Sequence, residues 1–247
     1  VTSDARYDGF TAEALAHLCG VPRVALWSEL GSTMDQAHAL AESGSAAGTL
    51  VLTDRQTAGR GRGGRPWASE PGQSITLTLI ERPADAEAIA VLALRLGLRA
   101  AGVLDRFAGE PVLLKWPNDL MLRAGKVGGI LVEARWREQR AEWVAIGIGI
   151  NLASPAVPGS AGLDTHVPRA ALLSELVPAL RAGAQARGSL GEAEIAAFAA
   201  RDWARGREAR SPAPGIVRGV SSRGALVLET TAGLVECATG SLVLTGA

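Results

Sequence analysis

Residues 115–136 read KWPNDLMLRAGKVGGILVEARW, and residues 142–152 read EWVAIGIGINL. These stretches hold both lysines of the chain, Lys115 and Lys126, against 23 arginines, and both of its asparagines, Asn118 and Asn151. An ammonium is a compact point charge, whereas a guanidinium is a planar fork. A chain that writes Arg almost everywhere yet keeps Lys at two nearby positions therefore has a use for the ammonium there. The hydropathy pattern predicts consecutive strands at VLLK (112–115), DLML (119–122), KVGGILVEARW (126–136) and EWVAIGIGINL (142–152). Pro117 and the glycine-containing turn at 123–125 suit an antiparallel meander.

The glycines within these strands point to a surface. Gly128 and Gly129 remove side chains and let a ligand lie against the backbone, with Lys126 beside them to meet a carboxylate or phosphate. Taken singly, the two lysines also read as gatekeepers of an edge strand. Gly147 and Gly149 clear one strand face while Ile148 and Ile150 fill the other. Asn151 ends the strand with a donor and an acceptor.

Upstream, residues 11–19 predict a short helix with Thr11 as N-cap and Gly20 past its end. A strand follows at 23–27, then a helix capped by Ser32 and Thr33 and running to about Glu42, then a strand at 49–54. Residues 56–67, QTAGRGRGGRPW, form a glycine/arginine loop, and 74–80 (SITLTLI) alternate as a strand does. Residues 84–106 have helical spacing, with Pro83 at the start. The loop describes an anion clamp, because glycine permits close backbone approach and arginine offers bidentate donors. It lacks the Gly-Lys-Ser/Thr ending of a Walker loop, and it closes into Arg-Pro-Trp rather than a helix, unlike a dinucleotide fingerprint. A solvated loop or an RNA-binding Arg/Gly segment remains the alternative. Trp67 offers either a face for a base or ordinary core packing.

Downstream, a Pro/Gly/Ser loop spans 153–168, and helices are predicted at 169–186 and 191–204. The composition then shifts. After GREARSPAPG come short β segments at 216–220, 225–230, 234–239 and 241–244, which suggest a small barrel. This reading divides the chain into an N-terminal extension (1–23), a catalytic unit (24–204) and a β module (205–247).

The chain has 247 residues, with 25 basic and 25 acidic side chains. That balance argues against a general nucleic-acid binder and against electrostatic membrane docking. No apolar run approaches the ~18 residues of a membrane span, and VTSDARYDGF is not expected to act as a signal peptide. Cys19 and Cys237 read as free thiols of a reducing, cytoplasmic setting. His17, His38 and His166 are scattered and read as non-catalytic, and neither a Ser-His-Asp nor a Cys-His constellation competes for a catalytic role.

Five motifs in register resemble the biotin protein ligase family over roughly residues 24–247. They are Gly31-Ser32-Thr33, Gln56 through Trp67, Lys115 through Asp119, Lys126 through Glu133, and Gly147 through Asn151. The resemblance implies an α+β fold, namely the class II synthetase-like mixed sheet with helices of biotin–lipoate ligases, plus a small C-terminal SH3-like β-barrel. It implies that biotin and Mg·ATP form biotinyl-5′-adenylate, and that a lysine of a biotin carboxyl carrier protein then attacks it. The carrier would belong to a biotin-dependent carboxylase such as acetyl-CoA carboxylase. Ser32, Thr33, Gln56, Arg60, Gly61, Arg62, Lys126, Gly128 and Gly129 match biotin-binding positions. Arg60, Arg62, Arg65, Trp67, Lys115, Asn118, Lys126 and Asn151 match nucleotide-binding ones. Lys126, Arg62 and Asp119 carry the catalytic expectation, and magnesium is expected only as ATP carries it. Met34 stands where the family usually has Asn, and the 153–168 loop lacks the family's usual wording. Residues 1–23 are too short for a winged helix-turn-helix, so no operator binding is expected, and the β surface at 126–150 suits a homodimer. A lipoate or octanoate ligase or transferase shares the fold and is the nearest alternative, and a relative that binds biotin without turnover is another.

Overall fold

The computed structural model describes residues 5–82, 85–123, 125–163 and 166–246. Strands β1 (Arg23–Leu30), β2 (Thr49–Gln56), β3 (Ser74–Glu81), β4 (Leu113–Lys115), β5 (Asp119–Leu122), β6 (Gly125–Arg137) and β7 (Arg140–Asn151) build a seven-stranded sheet in the order β1-β2-β3-β7-β6-β5-β4. Only β1 and β2 run parallel; every other neighbouring pair is antiparallel. The expected mixed sheet and its β4–β7 meander are therefore present.

Five helices complete this layer: α1 (Ala12–Cys19), α2 (Thr33–Glu42), α3 (Ala86–Ala108), α4 (Arg169–Ala184) and α5 (Glu192–Arg201). Thr11 accepts from the Ala14 N–H and Gly20 takes a left-handed φ of +62°, as the sequence of α1 requires. The start of α3 is capped by Asp85, whose carboxylate accepts from the Ala88 N–H at 2.7 Å. Pro83, read as the helix start, lies outside the described residues.

The two faces of the sheet are used differently. Leu50, Leu52, Leu79, Val144, Ile146 and Ile148 join one continuous core with residues of α1, α3 and α4. Val51, Ile80 and Ala145, which alternate with them, form a second cluster under Met34, Ala37 and Ala41 of α2. Alternation along a strand places these two sets on opposite faces. Among the described helices only α2 packs on the second face, and it covers only part of it.

The C-terminal strands β8 (Glu208–Ser211), β9 (Gly215–Val220), β10 (Leu226–Thr230), β11 (Gly233–Cys237) and β12 (Val243–Leu244) form a five-stranded antiparallel sheet in the order β11-β10-β9-β8-β12, consistent with the SH3-like unit. Strand β8 was not anticipated. Its residues lie within GREARSPAPG, after which the sequence reading begins its β segments, yet Ala209 is buried and pairs with both β9 and β12.

Arg95 of α3 is only 2% exposed. It donates to both oxygens of Glu194 on α5, at 2.6 and 3.1 Å, and to the Ser189 carbonyl at 2.9 Å. The hydrogen bond from Arg95 holds the Glu194 carboxyl below its usual pKa. A depressed carboxyl contributes stability above its unfolded pKa, about 4.3, and loses it as pH falls through the lower folded value. Arg95→Ala leaves that carboxylate with the Gly191 N–H alone and removes the donor to the Ser189 carbonyl and, at 3.3 Å, to the Gly188 carbonyl. It is expected to cost about 3–5 kcal/mol at neutral pH, with the deficit narrowing in acid below about pH 4. Urea unfolding followed across pH checks both parts.

Candidate active site

Register across the sheet determines which side chains reach the half-covered face. Thr76 pairs with Thr53 and Gly149, Thr78 with Val51 and Gly147, and Gly149 and Gly147 with Gly129 and Leu131. Directly paired residues share a face. This face therefore presents two threonines and three glycines beside α2, and it floors a cavity of about 240 Å³. Of the positions the sequence nominated, Ser32, Thr33, Gln56, Arg60, Gly61, Arg62, Arg65, Trp67, Lys115, Asn118, Asp119, Lys126, Gly129 and Asn151 all line it. Gly128 does not. It pairs with Ile150 on the core face, and a Cβ there would meet the Gly149 carbonyl oxygen at 2.7 Å, so that glycine serves strand packing.

One end of the cavity carries a directional hydrogen-bond chain. The Thr33 N–H donates to Oε1 of Gln56 at 2.8 Å, which fixes the orientation of that amide. The Thr33 hydroxyl lies 3.0 Å from the same oxygen and must donate to it. Its own oxygen can then only accept, so the Thr78 hydroxyl, 2.9 Å away, donates to it. Both hydroxyl protons are committed inside the protein, and the two oxygens retain lone pairs. Ser32 occupies the N-cap position of α2 as expected, but its side chain makes no capping bond. Gln56 caps the helix instead.

The glycine/arginine loop folds as a small hairpin over the cavity. The Gly61 N–H donates to the Arg65 carbonyl at 2.7 Å and the Trp67 N–H to the Gly59 carbonyl at 2.8 Å, around a 3-10 turn at Arg62–Gly64. Arg60 pairs with Asp35 at 2.6 Å and with Glu133 at 3.5 Å. Arg62 donates to the Gly240 carbonyl at 2.5 Å, and Arg65 to the Ser241 hydroxyl at 2.9 Å. The Trp67 indole lies flat against Gly149, where a Cβ would come within 2.3 Å of the ring. Its Nε1–H is buried without an acceptor.

At the opposite end, Lys126 is braced through its backbone. Its N–H donates to the Gly159 carbonyl, and its carbonyl accepts from the Ala161 N–H. Its ammonium sits 2.5 Å from Asp119, folds over the space Gly129 leaves, and lies 5.8 Å from the Trp67 ring centre. Asn151 is buried and donates to the Lys126 and Ala161 carbonyls, at 3.3 and 3.1 Å. Asn118 donates to the Ile130 carbonyl at 2.7 Å. These amides brace the strand ends around Lys126. Lys115 lies over the Trp203 ring at 5.4 Å, with Arg207 4.2 Å from the same ring. Burial holds the Lys115 ammonium below its usual pKa despite Asp119, and the like charges of Lys126, Arg207 and Arg65 add to the depression. Cations crowded at this spacing attract an anion.

Among the described lining residues Asp119 is the single carboxylate, and among the described residues no group of three or more His, Cys, Asp or Glu could hold a metal ion. One carboxylate suits magnesium that arrives on phosphates and keeps its waters. The described residues contain no helix long and apolar enough to cross a membrane, and both cysteines are free.

Three sets of lining residues escaped the sequence reading. Thr76 and Thr78 sit in a strand buried along its whole length, where a hydroxyl needs a partner, and that was the available signal. Ser241 and Leu242 come from the C-terminal β unit and gave none. Pro155, Val157 and Ser160 come from the loop after β7.

With this geometry in view, the relatives are informative. Residues 30–151 match the biotin/lipoate A/B protein ligase family, and the chain carries a domain of that family. It is similar to the bifunctional ligase/repressor BirA of Bacillus subtilis, 40% identical over 124 residues that cover 50% of this chain and 38% of that protein. It is also similar to the biotin–[acetyl-CoA-carboxylase] ligase of Paracoccus denitrificans, 41% identical over 138 residues, 52% of this chain and 54% of that one. The matched region thus spans about half or less of these relatives' own length. Among solved structures, the biotin protein ligase of Aquifex aeolicus in complex with biotin and ATP superposes with a TM-score of 0.76 at 25% identity, covering 91% of this chain and 99% of that one.

Gly149→Ala would drive its methyl into the Trp67 ring. We expect the indole to leave the strand, with a changed near-ultraviolet circular dichroism signal and a loss of about 1–3 kcal/mol. An unaltered spectrum would show that Trp67 does not depend on that bare backbone.

Proposed function

We propose that the chain is a biotin protein ligase, which activates biotin with Mg·ATP as biotinyl-5′-adenylate and transfers the biotinyl group to a lysine of a carboxyl carrier protein. The carrying observation is the hydroxyl chain at one end of the cavity. With their protons committed, Thr33 and Thr78 can only accept, so they favour a ligand ring that bears N–H groups. The ureido ring of biotin has such donors. The dithiolane of lipoate has none, which sets the nearest alternative aside.

The rest of the cavity suits the chemistry. In the first step a carboxylate oxygen attacks the α-phosphorus and pyrophosphate leaves. In the second, the carrier amine attacks the acyl carbon and AMP leaves. Neither step needs an enzyme nucleophile; both need repelling anions held in line. The Lys126 ammonium, fixed by its braced backbone, neutralises the carboxylate and α-phosphate, and the unpaired Trp67 N–H beside it is a donor for an oxygen of the same group. Arg62, Arg65 and Lys115 line the same cavity, and this supports a role for them in meeting the phosphates. Asp119 orients Lys126 and offers a carboxylate to magnesium or to the incoming ammonium. The loop hairpin excludes water from a reactive anhydride. The resemblance to the Aquifex aeolicus enzyme, solved with biotin and ATP, supports both substrates. The name of the Paracoccus denitrificans relative supports a carrier protein of acetyl-CoA carboxylase as partner. On this reading the enzyme works in the cytoplasm without nucleic acid, residues 24–204 form the catalytic unit and 205–247 the β module, and a second copy is accommodated along the β6–β7 surface.

Incubation with biotin, Mg·ATP and a carrier domain should raise the carrier's intact mass by one biotinyl group. ATP–pyrophosphate exchange should respond to biotin and not to lipoate; exchange with lipoate alone overturns the assignment. Lys126→Arg should slow exchange at least about tenfold, because a fork cannot occupy the point-charge position over Gly129. A near wild-type rate in that variant would remove Lys126 from the mechanism.

A further inference from the structure

Arg60 is held differently from the other two loop arginines. Besides its 2.6 Å pair with Asp35 on α2, it reaches Glu133 on β6 at 3.5 Å, and Oε2 of that second carboxylate also lies 3.1 Å from Nε2 of His38 on α2. The other ring nitrogen of His38, Nδ1, lies 3.0 Å from the indole Nε1 of Trp143 on β7. An indole N–H can only donate, so Nδ1 is the acceptor and carries no proton. The proton of the neutral ring is then on Nε2 and points at Glu133. The tautomer is set by geometry, and the chain Trp143–His38–Glu133–Arg60 runs from the buried sheet to the loop in one donor direction until the carboxylate, which accepts from both sides.

We propose that His38 is a positioning residue for the glycine/arginine loop. Bonded to Trp143 and to Glu133, it aims the Glu133 carboxylate at Arg60 and so keeps the hairpin of residues 59–67 seated over the cavity. It touches no lining group of the cavity in this role and acts through Glu133. An isolated Glu133 side chain would lose rotamer entropy on meeting Arg60; the His38 N–H removes much of that freedom beforehand. The link to retention of an activated intermediate rests on the ligase reading, whereas the seating of the loop does not.

The test therefore reads the loop with and without substrates, in full-length wild type and in the His38→Ala, His38→Gln and Glu133→Gln variants. Without ligand, hydrogen exchange is followed at the Gly61 and Trp67 N–H groups, which close the hairpin. His38→Ala and Glu133→Gln should speed exchange there by about fivefold, the worth of one net hydrogen bond. His38→Gln should restore it, because its amide presents an acceptor to Trp143 and a donor to Glu133. With biotin and Mg·ATP, release of the adenylate from the protein should accelerate in the same order. Wild-type exchange in His38→Ala, or a His38→Gln variant as fast as the alanine, would overturn the proposal. If wild type makes no adenylate, the ligase reading falls, and the loop exchange still decides the role of His38.

Discussion

The cavity depends on the absence of Cβ atoms along one face of two paired strands. Gly129 and Gly149 face each other across β6 and β7, and Gly147 lies opposite Leu131. A methyl on Gly149 would strike the Trp67 ring, one on Gly129 would crowd the Lys126 ammonium at 3.2 Å, and one on Gly147 would displace the end of the Met34 side chain, 2.8 Å away. Each glycine thus admits one named side chain to the face. The glycines weaken β propensity, and the loss is offset by the opposite face, where Ile146, Ile148 and Ile150 are buried in the main core. A strand written Ile-Gly-Ile-Gly-Ile is held by the packing of one face and left open on the other.

Charge follows the same economy of placement. The chain is neutral overall, yet Lys115, Lys126, Arg62 and Arg65 all line one cavity with one described carboxylate among them. Burial and mutual repulsion make that cluster costly without an anion, as the depressed Lys115 pKa records. Structural arginines behave otherwise. Arg95 and Arg169 are buried against paired carboxylates, Arg95 with Glu194 and Arg169 with Asp8 and Asp54, so their charge is satisfied within the fold. Counting arginines in the sequence cannot separate these two populations; their partners do.

Much of the sheet was legible because its signals are local. The meander announced itself through alternation and Pro/Gly turns, and the cavity face through the Gly147–Asn151 pattern. What was illegible depended on register or on distant chain. Whether Gly128 or Gly129 faces the cavity turns on a single-residue phase that the bulge between Leu120 and Met121 also disturbs. The role of Gln56 in capping α2 joins residues 23 apart in sequence, and Ser241 reaches the loop arginines across more than 170 residues. Asn118 and Asn151 were rightly singled out as unusual, but their amides spend their donors on backbone carbonyls, a use that residue type alone does not distinguish from ligand contact.

The partners of the loop arginines imply a division of labour that their identical side chains conceal. Arg60 is bound to two carboxylates, Asp35 and Glu133. Arg62 and Arg65 are bound to a neutral carbonyl and a neutral hydroxyl of the C-terminal β unit. All of these bonds have a charged donor, but a carboxylate acceptor adds a Coulomb attraction that a carbonyl or a hydroxyl lacks. On the ligase reading, a phosphate in the cavity would therefore compete more readily for Arg62 and Arg65 than for Arg60. The loop is tied by ion pairs at Arg60 and by neutral acceptors of residues 240–241 at Arg62 and Arg65. The small β unit thereby completes the wall of the cavity and supplies the acceptors that hold Arg62 and Arg65.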